Sequence, residues 1–206
     1  PDPEHYTTAR DAAILSSALI REFPEYYRWY AQREFTWNGI TQQNRNGLLW
    51  RDPSVDGVKT GHTETAGYCL VASAHRDGMR LVSAVLGTES MRAREDANAA
   101  LLNYGFNFFE TKRLYAAGEP LTTAPVWKGA TRTVGLALRR DLYVTGQRGQ
   151  VGNVRAEFEL PDQLVAPLTT DQPIGKASIV VDGATIATHD LYPSEAVPAG
   201  GFFRRA

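Results

Sequence analysis

The sequence predicts an α+β domain followed by a small all-β domain. Helical stripes alternate with hairpin signals over residues 1–109, a pattern typical of a domain that mixes helices with a sheet. Residues 110–206 show short Val- and Thr-rich runs, Pro and Gly punctuation and no helical stripe. With 206 residues, of which 43% are hydrophobic, the chain is long enough for each domain to have a core.

Composition excludes some functions and leaves others open. A formal net charge of -1 gives no basic field, so nucleic acid is not an expected partner. The sequence has no apolar run of about 18 residues that would predict a membrane-spanning helix. The single cysteine, Cys69, excludes an intrachain disulfide, leaves the redox compartment undecided and is expected to be buried. Residues 1–5 contain neither an initiator Met nor a signal-like apolar core, so we expect a processed or partial chain.

The first predicted elements are a helix and a hairpin. Thr8 and Asp11 fit a capping box at the start of a helix. The apolar residues that follow at helical spacing are Ala12, Leu15, Ala18 and Leu19. Residues 24–33 are rich in aromatic side chains, which we expect to pack in a core rather than to form a ligand platform. Asn38 and Gly39 lie between two β-prone runs and predict a hairpin turn.

A sheet of at least three antiparallel strands is expected next. Residues 44–50 form a polar loop that leads into an apolar anchor, and a strand over 55–63 follows. Residues 68–76 and 79–86 are two β-rich runs joined by an Asp-Gly pair, which is a second hairpin signal.

A second helix is predicted to begin after Ser90, which can cap it. Its expected apolar stripe consists of Ala97, Ala100, Leu101, Tyr104 and Phe108. Arg92 and Arg94 lie in the first turns, where cations oppose the helix dipole. Two interpretations stay open at this point: one of these arginines has a function, or both belong to a solvated face.

The second half of the chain is predicted to consist of short strands. They are expected over residues 132–138, 142–145, 154–160, 177–181 and 185–191. His189 and Asp190 are neighbours on one of these strands and would point to opposite faces, so they do not form a dyad. No cluster of metal-ligating residues and no glycine-rich phosphate loop occurs in this half, and no metal or cofactor is predicted.

Lys59, Thr60 and Gly61 lie toward the end of the strand predicted over residues 55–63. They have the chemistry to bind a carboxylate-bearing acyl substrate. An ammonium provides charge, a hydroxyl provides a hydrogen bond, and a glycine leaves room for a backbone to approach. The triplet alone also fits an exposed strand end with a solvated lysine. The segments around it decide between the two interpretations.

Six segments carry a resemblance to a known family. They are residues 45–50, 55–63, 66–68, 126–127, 166–168 and 201–203. The chain resembles the low-molecular-mass penicillin-binding proteins, specifically the D-alanyl-D-alanine carboxypeptidases of the type 5 and 6 subgroup, over essentially its whole length. A Lys-Thr-Gly triplet is one of the motifs associated with this superfamily. The resemblance implies that residues 1–109 are the C-terminal part of a serine β-lactamase/transpeptidase-like domain and that 110–206 form a β-sandwich.

The family's mechanism is acyl transfer, in which a serine attacks the bond between two terminal D-alanines and water then hydrolyses the acyl-enzyme. The resemblance assigns Lys59 and Thr60 to the carboxylate of a peptidoglycan stem peptide or a β-lactam antibiotic. It implies that the peptide pairs beside Gly61 and that the backbone N–H of His62 is an oxyanion donor. Arg45 and Arg94 match arginines near the family's site, and the resemblance implies that they bind the substrate by shaping the field around Lys59 and the leaving carboxylate.

The chain departs from the family pattern in two features: the serine motifs and the C-terminal segment. No Ser in this chain has Lys three positions later, and no Ser-x-Asn occurs. We therefore expect the nucleophilic serine in a missing N-terminal part of the same enzyme. Family members continue past residues 202–203 into an amphipathic helix that lies on the membrane, and only three residues follow here. The implied location is the periplasm, at the outer face of the bacterial inner membrane.

Two other functions were weighed against the carboxypeptidase. A class A β-lactamase shares the Lys-Thr-Gly triplet, but residues 111–206 have no place in that single-domain enzyme, and no carboxylate loop for fast deacylation is evident. A non-catalytic spacer or binding module also fits, because this same half resembles a stalk that lifts a catalytic domain off the membrane.

Overall fold

The computed structural model describes residue 4, residues 6–151 and residues 154–201. The chain divides into two compact units, Pro1–Phe109 and Glu110–Ala206. The predicted motif at residues 202–203 lies outside the described residues. The α+β fold class is confirmed, because helices and strands mix in the first unit and strands alone make up the described part of the second.

The described residues of the first unit form four α-helices and five strands. A 3₁₀ turn, Arg28–Ala31, follows the second helix. In chain order the elements are α1 (Ala9–Glu22), α2 (Pro24–Tyr27), β1 (Glu34–Trp37), β2 (Ile40–Gln43), α3 (Leu48–Arg51), β3 (Val55–Thr63), β4 (Gly67–Arg76), β5 (Met79–Thr88) and α4 (Met91–Phe108).

Strands β3, β4 and β5 form one antiparallel sheet in that order. Residues alternate between its two faces because the side-chain period of a strand is two. Leu70 and Ala72 of β4 pack with residues of α3 and α4, whereas Val71 packs with Val58 and Tyr27 on the other face. Among the described strands, β3 has a neighbour on one side only, so its other edge is open to further pairing.

Both predicted hairpin turns are confirmed. Asn38 and Gly39 connect β1 to β2, and Asp77 and Gly78 connect β4 to β5. All four residues have positive φ angles between 48° and 80°, which a two-residue hairpin loop of this type requires.

The start of α1 follows the prediction, and its buried face follows it in part, for Ala12 and Leu19. The hydroxyl of Thr8 accepts a hydrogen bond from the Asp11 amide at 3.0 Å and donates one to its carboxylate at 2.8 Å. Leu15 was expected in the apolar stripe and is 72% exposed, while Ser16 is buried. The helix is rotated so that Ala12, Ser16 and Leu19 face the sheet. Most residues of α1 are small or apolar, so periodicity alone does not fix the rotation of the helix.

The expectation that the aromatic residues of 24–33 are core is correct for Tyr27 and wrong for Tyr26 and Trp29. Tyr27 is 5% exposed, whereas Tyr26 and Trp29 are 47% and 53% exposed. The phenol of Tyr27 donates a hydrogen bond of 2.8 Å to Asp56 at the beginning of β3. Burial is the main reason that the pKa of Tyr27 lies above its usual value.

The predicted apolar stripe of α4 is wrong. Leu101, Tyr104 and Phe108 are each about half exposed, at 49%, 57% and 57%. The residues that α4 buries are Arg94, Asn98, Leu102 and Phe106. Two of them, Arg94 and Asn98, are polar and donate hydrogen bonds to backbone carbonyls, which a pattern of apolar residues does not reveal. The cap is as predicted, since the Ser90 hydroxyl accepts a hydrogen bond from the Ala93 amide at 3.1 Å.

Asp52 and Arg76 join the start of β3, the end of β4 and helix α4. The Arg76 guanidinium donates to the Asp52 carboxylate at 2.6 Å and to the Asn103 side chain at 3.2 Å. Burial opposes ionisation of Asp52, but hydrogen bonds from Ser54 and Arg76 outweigh it and hold the pKa of Asp52 below its usual value.

The second unit consists of strands. In chain order they are β6 (Phe109–Tyr115), β7 (Pro120–Trp127), β8 (Thr133–Ala137), β9 (Leu142–Gln147), β10 (Val154–Glu159), β11 (Leu164–Val165), β12 (Gly175–Val181) and β13 (Ala184–Pro193). Six of them form a sheet in the order β10-β12-β13-β8-β7-β11, and β6 pairs with β9. All five predicted strands are present. The strands β6, β7 and β11 were missed, because Lys and Arg interrupt the first, Pro opens and interrupts the second, and the third is only two residues long.

The Asp52–Arg76 pair yields a prediction about stability. Replacing Asp52 by Asn removes a partly buried, charge-assisted hydrogen bond and should lower the free energy of unfolding at pH 7 by about 1–2 kcal/mol. The native pKa is lowered, so the contribution is complete above the ordinary Asp pKa of about 3.9 and is lost as the pH falls through the native value. Urea unfolding of both proteins from pH 7 to pH 2 measures it.

The matched control is Glu64→Gln, which removes an exposed carboxylate of the same unit. We expect the loss of unfolding free energy in Asp52→Asn to vanish at the acid end of the pH range. The unfolding free energy of the control should stay close to that of the wild type at every pH. A deficit of the same size at pH 7 and pH 2 would show that Asp52 acts through packing and not through its charge.

Candidate active site

The six residues predicted for the site meet in one cleft. Lys59, Thr60, Gly61 and His62 are consecutive residues of β3, at the edge strand of the sheet. They line a cleft of about 370 Å³. Its other lining residues are Arg45, Tyr68, Met91 and Arg94. The cleft therefore combines the end of β3 with the loop before α3 and the first turn of α4.

The cleft is cationic. Three of its eight lining residues are Arg45, Lys59 and Arg94, and none of the eight carries a carboxylate. The Lys59 ammonium donates at 2.5 Å to the backbone oxygen of Thr60, an uncharged acceptor that leaves its charge uncompensated. Walls of one charge sign focus the field in a cleft and favour an anion.

Gly61 leaves open space that the protein does not use itself. A Cβ added there would meet only the Cβ of Cys69 on β4, at an ordinary contact distance of 3.7 Å. Gly47 and Gly57 differ, because a Cβ on them would overlap the Glu95 carboxylate and the Tyr27 hydroxyl. The packing of this chain therefore explains glycine at positions 47 and 57, whereas at position 61 it would accommodate a Cβ.

Cys69 is half-buried instead of fully buried as expected. It lies directly opposite Gly61 in the β3–β4 register, and its sulfur accepts a hydrogen bond from the Gly87 amide at 3.5 Å.

The imidazole of His62 is a packing group. Its ring stacks on that of Tyr68, the cross-strand neighbour, with 3.9 Å between the centroids and 30° between the planes. This arrangement holds the side chain against the sheet.

Arg94 is buried, whereas Arg45 and Lys59 are exposed. It is 2% exposed, and its guanidinium donates to the carbonyl oxygens of Gly61 at 3.2 Å, Cys69 at 3.3 Å and Arg45 at 3.0 Å. Its Nε is buried and has no hydrogen-bond partner in the structure. Arg94 thus joins the end of β3, its neighbour β4 and the loop that presents Arg45.

Asn46 is a residue of the site that the sequence reasoning missed. It is 2% exposed, donates from Nδ2 to the Gly57 carbonyl at 3.0 Å and accepts the Leu48 amide at 3.2 Å. These bonds fix the loop that carries Arg45 to the middle of β3. The only signal in the sequence was a polar loop followed by an apolar anchor.

Asn98 was missed for a similar reason. One turn after Arg94 on α4, it donates from Nδ2 to the carbonyls of Leu70 at 3.1 Å and of Arg94 at 2.8 Å. Its Oδ1 accepts the hydroxyl of Ser83 at 2.6 Å. Asn98 therefore anchors α4 on β4 and β5 and holds the turn from which Arg94 extends.

The described residues lack two features, a metal-binding group of side chains and a membrane-spanning helix. Residue 4 and residues 6–151 and 154–201 contain no group of three or more His, Cys, Asp or Glu side chains arranged to hold a metal ion. In the same part of the chain, none of the helices has the length and apolar character needed to cross a membrane.

Comparison with family models assigns both halves of the chain. Residues 1–90 match the model described as D-alanyl-D-alanine carboxypeptidase. Residues 109–199 match that of the C-terminal domain of penicillin-binding protein 5.

Individual relatives agree with the models. D-alanyl-D-alanine carboxypeptidase DacA of Escherichia coli K12 is 44% identical over 200 residues, which are 96% of this chain and 50% of the relative. DacA of Haemophilus influenzae is 42% identical over 205 residues, or 98% of this chain and 52% of the relative. The chain spans about half the length of these relatives.

A solved structure shows the same fold. Penicillin-binding protein 5 from Haemophilus influenzae superimposes with a TM-score of 0.77 at 42% sequence identity, over 96% of this chain and 58% of that one. The family resemblance seen in the sequence is confirmed, because each half of the chain matches a model of this family and the relatives at 42–44% identity are D-alanyl-D-alanine carboxypeptidases.

Proposed function

We propose that this chain provides the carboxylate-binding strand and one oxyanion donor of a serine-type D-Ala-D-Ala carboxypeptidase that trims peptidoglycan stem pentapeptides and is inhibited by β-lactams. The observation that carries the proposal is the cleft beside the open edge of β3, which is cationic and without a carboxylate among its lining residues. The relatives named as D-alanyl-D-alanine carboxypeptidases support it.

In this mechanism the terminal carboxylate of the stem peptide binds to the Lys59 ammonium and the Thr60 hydroxyl. Both are charge-assisted hydrogen bonds, which are shorter and stronger than neutral ones. The peptide backbone lies along the edge of β3, where Gly61 offers no side chain to obstruct it. Arg45, exposed at the rim of the cleft, adds to the field that attracts the carboxylate.

The scissile carbonyl lies next to His62 in this arrangement. Its oxygen becomes negative when the nucleophile attacks, and the His62 N–H donates to it at a distance of roughly 2.7–3.1 Å. The nucleophilic serine and its activating lysine belong to the part of the parent enzyme outside this chain. Expulsion of D-alanine and hydrolysis of the acyl-enzyme complete the turnover, and a β-lactam stops at the acyl stage.

The two units have separate roles in the proposal. Residues 1–109 form the C-terminal part of the catalytic domain, and residues 110–206 are a spacer between that domain and the membrane. The enzyme acts in the periplasm, on the outer face of the inner membrane, and an amphipathic helix after residue 206 attaches it to the lipid surface.

A first prediction concerns the location of the nucleophile. The 206-residue chain of 22.7 kDa should gain no mass on incubation with benzylpenicillin, because it lacks a Ser-x-x-Lys motif. The parent enzyme, in which this chain follows its serine-bearing segment, should gain the mass of one antibiotic molecule. Intact mass spectrometry of both measures this, and a parent enzyme that stays unmodified would leave only a non-catalytic spacer.

A second prediction concerns Lys59. In the parent enzyme, Lys59→Ala should lower the second-order rate constant of acylation by benzylpenicillin about 10- to 100-fold, because a hydrogen bond to a charged group contributes about 1.5–3 kcal/mol. The matched control is Lys128→Ala, which removes a lysine that packs on Trp127 in the second unit and should leave the rate unchanged. Equal rates for both variants would exclude Lys59 from carboxylate binding.

Release of the antibiotic separates the carboxypeptidase from a β-lactamase. We expect the parent enzyme to release D-alanine from a pentapeptide ending in D-Ala-D-Ala and to hydrolyse its penicilloyl adduct slowly. Rapid turnover of penicillin without D-alanine release would favour the lactamase.

A further inference from the structure

The Gly61–His62 peptide unit connects the buried arginine to the reacting centre. The carbonyl oxygen of this unit belongs to Gly61 and accepts a hydrogen bond of 3.2 Å from Arg94 Nη1. The N–H of the same unit belongs to His62. A peptide unit is planar, so fixing one end of it fixes the direction of the other.

The direction of that N–H follows from the sheet. Arg94 Nη1 reaches the carbonyls of Gly61 and Cys69, which are cross-strand partners on β3 and β4, so the Gly61 oxygen lies on the β4 side of its strand. This peptide is trans, and its oxygen and hydrogen point in opposite directions. The His62 N–H therefore points away from β4, toward the open edge of β3 and the cleft.

The other contacts of Arg94 make this orientation rigid. Its Nη2 donates to the Arg45 carbonyl at 3.0 Å, and the planar guanidinium cannot rotate one of its N–H groups without moving the others. Burial to 2% exposure keeps water from competing for the Gly61 oxygen. All three acceptors are backbone carbonyls, so the geometry does not depend on another side chain's rotamer.

We infer that Arg94 is a positioning residue, which fixes the Gly61–His62 peptide so that the His62 N–H is preorganised for the developing oxyanion. This inference rests on the proposed carboxypeptidase function. It gives Arg94 a different role from the one that the family resemblance implies, because the guanidinium acts through the peptide plane and not on the substrate carboxylate. Its positive charge on the carbonyl side also polarises the peptide toward a stronger N–H donor.

The role predicts a separation of chemistry from binding. Arg94→Lys keeps the charge but cannot hold three carbonyls in one plane, and Arg94→Gln removes the charge. In the parent enzyme, both should lower the first-order acylation rate constant with benzylpenicillin about tenfold or more, below the 10²–10³-fold loss typical of removing a whole oxyanion donor. The dissociation constant of the non-covalent complex should change less than about twofold. Stopped-flow acylation over a range of antibiotic concentrations yields both constants.

Folding defects are separated by active-site titration, because the burst amplitude counts competent molecules while the rate constant describes each of them. The matched control is Arg92→Lys, on the same helix turn, whose side chain is 81% exposed and should leave both constants unchanged. In the 206-residue chain, the ¹⁵N–¹H resonance of His62 should shift in Arg94→Lys and stay in place in Arg92→Lys.

The acylation measurements test the proposed function and the positioning role of Arg94 separately. A wild-type parent enzyme that does not acylate overturns the proposed function. Wild-type acylation with unchanged rate constants in both Arg94 variants overturns the positioning role alone. A weaker non-covalent complex with an unchanged acylation step also overturns it, because Arg94 would then bind the carboxylate.

Discussion

The open edge of β3 is the constraint on which the site depends. Pairing with β4 on one side holds residues 57–63 of the strand in register. The absence of a partner in the described sheet on the other side leaves a row of backbone groups that could pair with an extended ligand. Lys59 and Thr60 stand at this edge, and Gly61 keeps it accessible. A strand paired on both sides could carry the same three residues, but its backbone would have no free edge with which a peptide could pair.

Polar residues support this edge where an apolar core would be expected. Arg94 and Asn98 occupy two of the buried positions of α4, and Asn46 is buried in the loop before α3. Each of them donates hydrogen bonds to backbone carbonyls. Burying a polar group costs free energy, and the hydrogen bonds that these side chains make to the backbone offset part of that cost. The same bonds fix the direction of the backbone at the site.

The parts of the fold that depend on neighbouring residues could be predicted from the sequence. The caps at Thr8 and Ser90 and both Gly-containing hairpin turns need only a few adjacent residues. The buried face of α4 could not be predicted, because the carbonyl partners of Arg94 lie 25 to 49 positions away in the sequence. The cleft residues on β3 were found through a local motif, whereas Asn46 and Asn98 had no such signal.

The central claim is that the end of β3 binds the substrate carboxylate and presents the His62 N–H to the acyl oxygen. A crystal structure of the parent enzyme acylated by benzylpenicillin tests it most directly. We expect the antibiotic carboxylate within hydrogen-bond distance of Lys59 Nζ and Thr60 Oγ1, and the acyl oxygen roughly 2.7–3.1 Å from the His62 nitrogen. An adduct whose carboxylate lies away from β3, or whose acyl oxygen has no contact with His62, would contradict the account.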